Sequence, residues 1–274
     1  MKDLLKIEWL KIKNYKAFII LLVFFALGIF TANYIVFSVF KNMINESQAT
    51  VLIGQFNPYD FTNTWQTTSY TAGFLLILPA LLLIILVTNE YTYKTNKQNI
   101  IDGWSREQFV NVKMMLALLV AIFSTILVIL TAIVFGFMSK TAFSFSGYSH
   151  VGFFFLKALS YNLLAVLISV WIRRTGFAIG IYFIYLGAEN IISQLLDVWS
   201  IKLRNNHVID LGSMGDYLPM NASDALLGFP DNPLKALAKN ALPTDYFWVD
   251  VCLAVLYIIL FYWLGRRNVI RKDL

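Results

Sequence analysis

The stretch from Met114 to Met138, MMLALLVAIFSTILVILTAIVFGFM, decides how the chain is read: 25 consecutive positions carry no charge. A bilayer core of roughly 30 Å needs about 20 apolar residues in a helix. Inside it only helices and closed barrels satisfy their own backbone groups. This run lacks the apolar–polar alternation of a barrel strand, so it reads as a membrane span. Five further runs qualify, at 17–40, 71–87, 151–172, 177–196 and 248–264. The fourth and fifth spans in chain order are joined only by Arg173-Arg174-Thr175-Gly176, which implies a tight antiparallel pair.

The 274 residues are 58% hydrophobic and 14% charged, against roughly 25% charged in an average globular chain. That excludes a soluble enzyme, a disordered chain and a nucleic-acid-binding domain; the net charge of +6 belongs to a membrane protein. Fifteen lysines and arginines fall in the leader, the connections 88–113 and 173–176, and the tail, whereas six fall on the other side. Both termini are therefore expected in the cytoplasm. Trp171 and Trp263 would anchor cytoplasmic span ends, Trp199 and Trp248 outer ones. The first span exceeds a typical signal-peptide core, and no small-residue cleavage site follows, so it reads as a retained anchor.

One cysteine, Cys252, excludes an internal disulfide, and two histidines, His150 and His207, are too few for a His/Cys metal cluster. There is no G-x-x-x-x-G-K-[ST] loop, H-E-x-x-H or G-x-S-x-G, so no catalytic or cofactor residue is expected in this chain. The expectation is an all-α polytopic membrane protein, one domain over 1–274. It has six transmembrane helices, an N-terminal amphipathic helix and an extended outer segment with short helices between spans five and six. In that segment Asn232-Pro233 reads as a helix start, and Ser223–Leu227, closed by Gly228, as a second short helix.

Three places carry more than span signals. In the leader, Leu5, Trp9 and Ile12 share a helical face while the lysines lie mostly elsewhere, the pattern of a surface-lying helix. Between spans two and three, Gly103 breaks the chain and Ser105 with Gln108 forms a capping box that starts a helix running into the third span. Trp104 is expected to project from that turn. In span five, Tyr182, Tyr185, Glu189, Asn190, Ser193, Gln194 and Asp197 fall within about half the circumference of a helical wheel. Leu186 and Ile179 interrupt that face. It fits either a translocation path near a dimer axis or a hydrogen-bonding face that holds helices together.

The lysine-rich start Leu4-Leu5-Lys6-Ile7-Glu8-Trp9-Leu10-Lys11, Glu90 after span two, Gly103-Trp104-Ser105-Arg106 before span three, and Gly265-Arg266-Arg267-Asn268 after the last span occur together. In layout the chain resembles the permease subunits of ABC transporters of the ABC-2 family, the type V exporters. The resemblance implies that Ile101, Asp102, Gly103, Trp104, Ser105, Arg106 and Phe109 form a coupling helix docked on a separate ATPase. Leu5, Trp9 and Ile12 would belong to a connecting helix beside it, and 223–240 would close the exit.

It further implies two cytoplasmic ATPase subunits that bind the ATP and Mg, a second permease copy or paralogue, and residence in a bacterial cytoplasmic membrane without nucleic acid. Two other readings stand beside it: a secondary transporter or channel using Glu189, and a non-transport assembly or sensor protein.

Overall fold

The computed structural model describes residues 2–13, 15–45, 56–206, 209–231 and 246–271. Among them are ten α-helices and no strand. In chain order these are α1 (Lys2–Ile12), α2 (Lys16–Asn45), α3 (Thr64–Gly73), α4 (Ile77–Thr92), α5 (Thr95–Ile101), α6 (Arg106–Met138), α7 (Ser149–Ile172), α8 (Thr175–Asn205), α9 (Asn221–Ala225) and α10 (Phe247–Arg271). By length and composition α2, α6, α7, α8 and α10 can each cross a membrane.

The second expected span, 71–87, is not one straight helix. It is the pair α3 and α4, bent by 45°. Pro79 in the first turn of α4 has no N–H to give Leu75, and its ring crowds that carbonyl, so the helix breaks ahead of it. Counted as one span, the pair makes the sixth crossing. α3 is rich in buried hydroxyls that turn to backbone carbonyls: Thr67 donates to Pro58 (2.6 Å), Thr71 to Thr67 (2.8 Å) and Thr64 to Ala132 (3.3 Å). Such bonds keep polar groups tolerable at membrane depth.

Other spans differ from expectation mainly at their ends. α6 begins eight residues before Met114, because its capping box is present: Gln108 N–H donates to Ser105 Oγ (3.1 Å) and Ser105 N–H to Gln108 Oε1 (2.9 Å). α8 continues to Asn205. The turn between α7 and α8 is as tight as expected, only Arg173 and Arg174 lying outside helix, with Arg173 in the left-handed region at φ 58°.

α7 is the central post. Its most apolar stretch is 72% buried, against 17% for α2, α8 and α10. After α8 the chain folds back as a cap. A 3₁₀ turn, Met214–Tyr217, and α9 lie against α7, α8 and α10. α9 starts two residues ahead of the helix expected at Ser223–Leu227. The helix expected from Asn232-Pro233 lies outside the described residues.

Candidate coupling site

α1, the end of α4, α5 and the start of α6 meet at one end of the bundle. α5 ends in a Schellman turn: Gly103, at φ 97°, donates to Ile100 O (3.0 Å), and Trp104 N–H to Asn99 O (3.0 Å). In such a turn the second residue past the cap packs back on its own helix. Trp104 occupies that position and is 8% exposed, with Lys11 Nζ 5.6 Å from its ring centroid. The projecting tryptophan expected from the sequence is thus an inward-facing one. Ile101 takes the outward position at 77% exposed, with Asp102, Gly103, Ser105 and Arg106 exposed around it, while Phe109 is fully buried.

A compact charge cluster lies behind this turn. Lys113 Nζ, 2% exposed, sits 2.5 Å from Glu8 Oε2 and 2.8 Å from Glu90 Oε1. Lys11 Nζ reaches Glu8 Oε1 (3.1 Å), Glu90 Oε1 (3.2 Å) and Asn99 Oδ1 (3.3 Å). Two carboxylates and two ammoniums thereby join α1, α4 and α6, and Asn99 adds α5. Burial alone would raise the Glu8 carboxyl, but Lys113 and Lys11 outweigh it and hold Glu8 below its ordinary value. Burial likewise opposes charge on Lys11, yet Glu90 and Glu8 prevail and raise it.

This changes the reading of α1. Ile12 is buried as expected, Leu5 is half-buried, but Trp9 is 59% exposed. The inward face of α1 is set by Glu8 and Ile12, because Lys113 supplies a partner that a helical wheel cannot display. Glu8 and Lys113 were missed as site residues. The leader's two acids, Asp3 and Glu8, each stand three residues before a lysine, so the spacing alone does not single out Glu8.

The tail joins the same end: Arg266 pairs with Glu107 of α6, and Tyr262 OH donates to Asn111 (3.1 Å).

The polar face of α8 divides in two. Tyr182, Glu189 and Ser193 are buried against the protein, and Tyr185 is half-buried. Glu189 Oε1 accepts the backbone N–H of Met220 (2.5 Å) and Asn221 (3.0 Å), so the carboxylate anchors the start of α9. Asn190 and Gln194 face outward and bond to each other, Gln194 Nε2 to Asn190 Oδ1, at 2.7 Å. Nearby, Lys157 pairs with Asp224 (3.2 Å), and Tyr161 OH donates to the same carboxylate (3.0 Å).

The fold defines a polytopic helical protein of the membrane, with a charge-locked helical turn at the end that holds both described chain ends. The family model for ABC-2 family transporter protein matches residues 4–188. The chain belongs to that family, and is a permease of an ABC transporter. Partnership with ABC ATPase subunits follows from the family in general terms. No curated protein gives a match.

Proposed function

We propose that this chain is the membrane-spanning subunit of an ATP-driven exporter of a bacterial cytoplasmic membrane, with its termini and the α5–α6 turn on the cytoplasmic side. The chain performs no catalysis itself. Two separate ATPase subunits bind ATP and Mg and dock on Ile101, Asp102 and Arg106. A second permease copy or paralogue packs against the outward face of α8.

The observation that supports this reading most is the Glu8–Lys11–Glu90–Lys113 cluster. It binds α1 and the end of α4 to the first turns of α6, a helix of 33 residues in all. A push on the exposed turn therefore moves a rigid unit rather than a loose loop. Glu189 is engaged by two backbone N–H groups, which favours an anchoring role over an ion site.

The test is the double variant Ile101→Asp, Arg106→Ala. Both positions are exposed, so the chain inserts and folds normally. Large contacts of this kind often contribute about 2 kcal/mol or more to a complex. The variant should lose its ATPase subunits on purification, or keep them with hydrolysis unlinked from transport. Normal co-purification with normal ATP-driven transport would remove the turn from the coupling role.

A further inference from the structure

The last turns of α4 present two faces. Glu90 turns to the charge cluster, whereas Thr88 and Tyr91 turn to the start of α8. Thr88 Oγ1 lies 2.8 Å from the hydroxyl of Thr175, the first residue of α8. One turn further along α4, the Arg173 guanidinium lies over the Tyr91 ring, 5.3 Å from its centroid. Tyr91 also meets Phe109 of α6 edge-on, with centroids 6.1 Å apart and planes at 82°. Phe109 in turn lies under Lys113 Nζ, 5.3 Å from its centroid. A cation, two rings and a second cation therefore run unbroken from the charge cluster to the turn between α7 and α8.

The backbone of that turn does not call for arginine. Arg173 holds the left-handed region at φ 58°, which glycine adopts more readily. A basic residue at a span end is expected for topology alone, but the exposed Arg174 beside it meets that need without a ring to sit on. Tyr91 is half-buried, and its buried hydroxyl has no hydrogen-bond partner among the described residues, so its contribution comes from the ring. The packing of α8 narrows the route further. Among the described spans α8 packs on α4 and α7, so a displacement at the α5–α6 turn reaches it through one of those two.

We infer that Phe109, Tyr91 and Arg173 bridge the α5–α6 turn to the start of α8, so that α8, which carries the Glu189 anchor of the cap, moves with α4 and α6. Arg173 and Tyr91 act through α8 and are positioning residues for transport. The bridge rests on the coupling role proposed above for the turn.

The test uses the complex of the full chain with its ATPase subunits, without nucleotide and with a non-hydrolysable ATP analogue. Hydrogen–deuterium exchange is read at the start of α6, residues 106–113, and of α8, residues 178–185. In the unaltered complex the analogue should change protection at both. Arg173→Gly keeps the turn and removes the guanidinium, and Tyr91→Leu keeps apolar bulk and removes the ring. Each should cut the response of α8 roughly tenfold, the scale of one half-buried cation–π contact, and leave that of α6 intact. Because the two residues form one contact, the double variant should do no more than either alone. Tyr91→Phe, which keeps the ring and drops an unpaired hydroxyl, should behave as the unaltered chain.

A full α8 response in Arg173→Gly and Tyr91→Leu, with α6 responding normally, would overturn the bridge and leave the coupling role standing. Loss of the α8 response in Tyr91→Phe would overturn the part assigned to the ring, and the bridge with it. No response at α6 in the unaltered complex would remove the coupling role itself, and the bridge would fall for that separate reason.

Discussion

Replacing Lys113 with Met should release α1 while leaving the spans packed. Lys113 is the deepest member of the charge cluster, and its loss leaves Glu8 and Glu90 facing a single lysine that is one-third exposed. Breaking a buried ion pair by removing one partner costs about 3–5 kcal/mol. Because Lys11 remains, the lower end, about 3 kcal/mol, is the appropriate figure. Ile12 is the only other buried side chain described on α1, and burying it contributes about 1.5–3 kcal/mol. The least costly response is therefore detachment of α1, not unfolding of the bundle.

Local opening eased by about 3 kcal/mol speeds amide exchange roughly a hundredfold. Hydrogen–deuterium exchange in a micelle or nanodisc should show that acceleration over residues 6–12, with α6 and α7 unchanged. A second substitution, Glu8→Gln, in the same chain should recover much of the loss, since it removes the excess negative charge. Unchanged α1 exchange in Lys113→Met would refute the claim that the cluster docks this helix. Equal acceleration throughout the bundle would show that α1 is not a separate unit.

The same docking has a pH signature. Glu8 is held below its ordinary 4.5, so its contribution is complete above about 4.5 and is lost as pH falls through the lower value of the docked state. Lys11 is raised above 10.5, so its contribution is complete below that value and is lost as pH rises through the higher one. Exchange of α1, corrected for intrinsic rates, should stay flat from about pH 5 to 10 and accelerate on the acid side below 4.5.

Three other outcomes are expected. Glu189→Ala strands two backbone donors at Met220 and Asn221, so limited proteolysis should cut near α9 more readily, while Glu189→Gln, which keeps an acceptor, should resemble the unaltered chain. Asn190→Leu with Gln194→Leu should lower the dimer fraction in native gels without changing monomer melting if these outward amides meet a second copy; an unchanged dimer fraction removes them from that interface. Gly215→Ala should destabilise the cap by about 1–3 kcal/mol, because the new methyl meets Ser193 O at 2.6 Å and backbone cannot yield; Gly265→Ala meets only the mobile end of Met114 and should cost far less in thermal melting.

The apolar runs, the capping box at Ser105 and the tight α7–α8 turn were legible because each depends on residues close in the chain. Span two was only partly legible. Pro79 lay inside the apolar run, yet hydropathy averages over a single missing N–H. Trp104 was placed on the wrong side because its direction depends on the hydrogen bond to Asn99 and on Lys11, 93 residues away in sequence. The charge cluster was least legible. Lys113 and Lys11 had been counted for topology, and a count of basic residues carries no information about which carboxylate each one meets. The α8 face was recognised as polar but not as two faces, since Glu189 turns inward to amides supplied by the cap.

These polar contacts matter more than their number suggests, because lipid tails are as apolar as the helix faces and give no hydrophobic drive for one helix to choose another. Packing alone would allow α8 and α10, each mostly exposed, to slide or tilt on α7, and α2 to do so on α3, α4 and α6. Register is instead set at the two ends. At one end Glu8, Lys11, Glu90 and Lys113 tie α1 and α4 to α6. At the other, Lys157–Asp224 and Glu189 tie the cap to α7 and α8. Gly73 permits the second knot, since a Cβ there would stand 3.0 Å from Lys157 Nζ at the α3–α4 bend. A force applied at the α5–α6 turn therefore enters α4 and α6 together, and α4 leads directly to that bend. The bend lies beside Lys157 and hence beside the partner of Asp224, so the path from the turn to the cap runs through one broken span. If the turn couples to an ATPase as proposed, Gly73→Ala, which crowds Lys157 at that bend, should slow transport without loosening the ATPase; full transport in that variant would exclude this path.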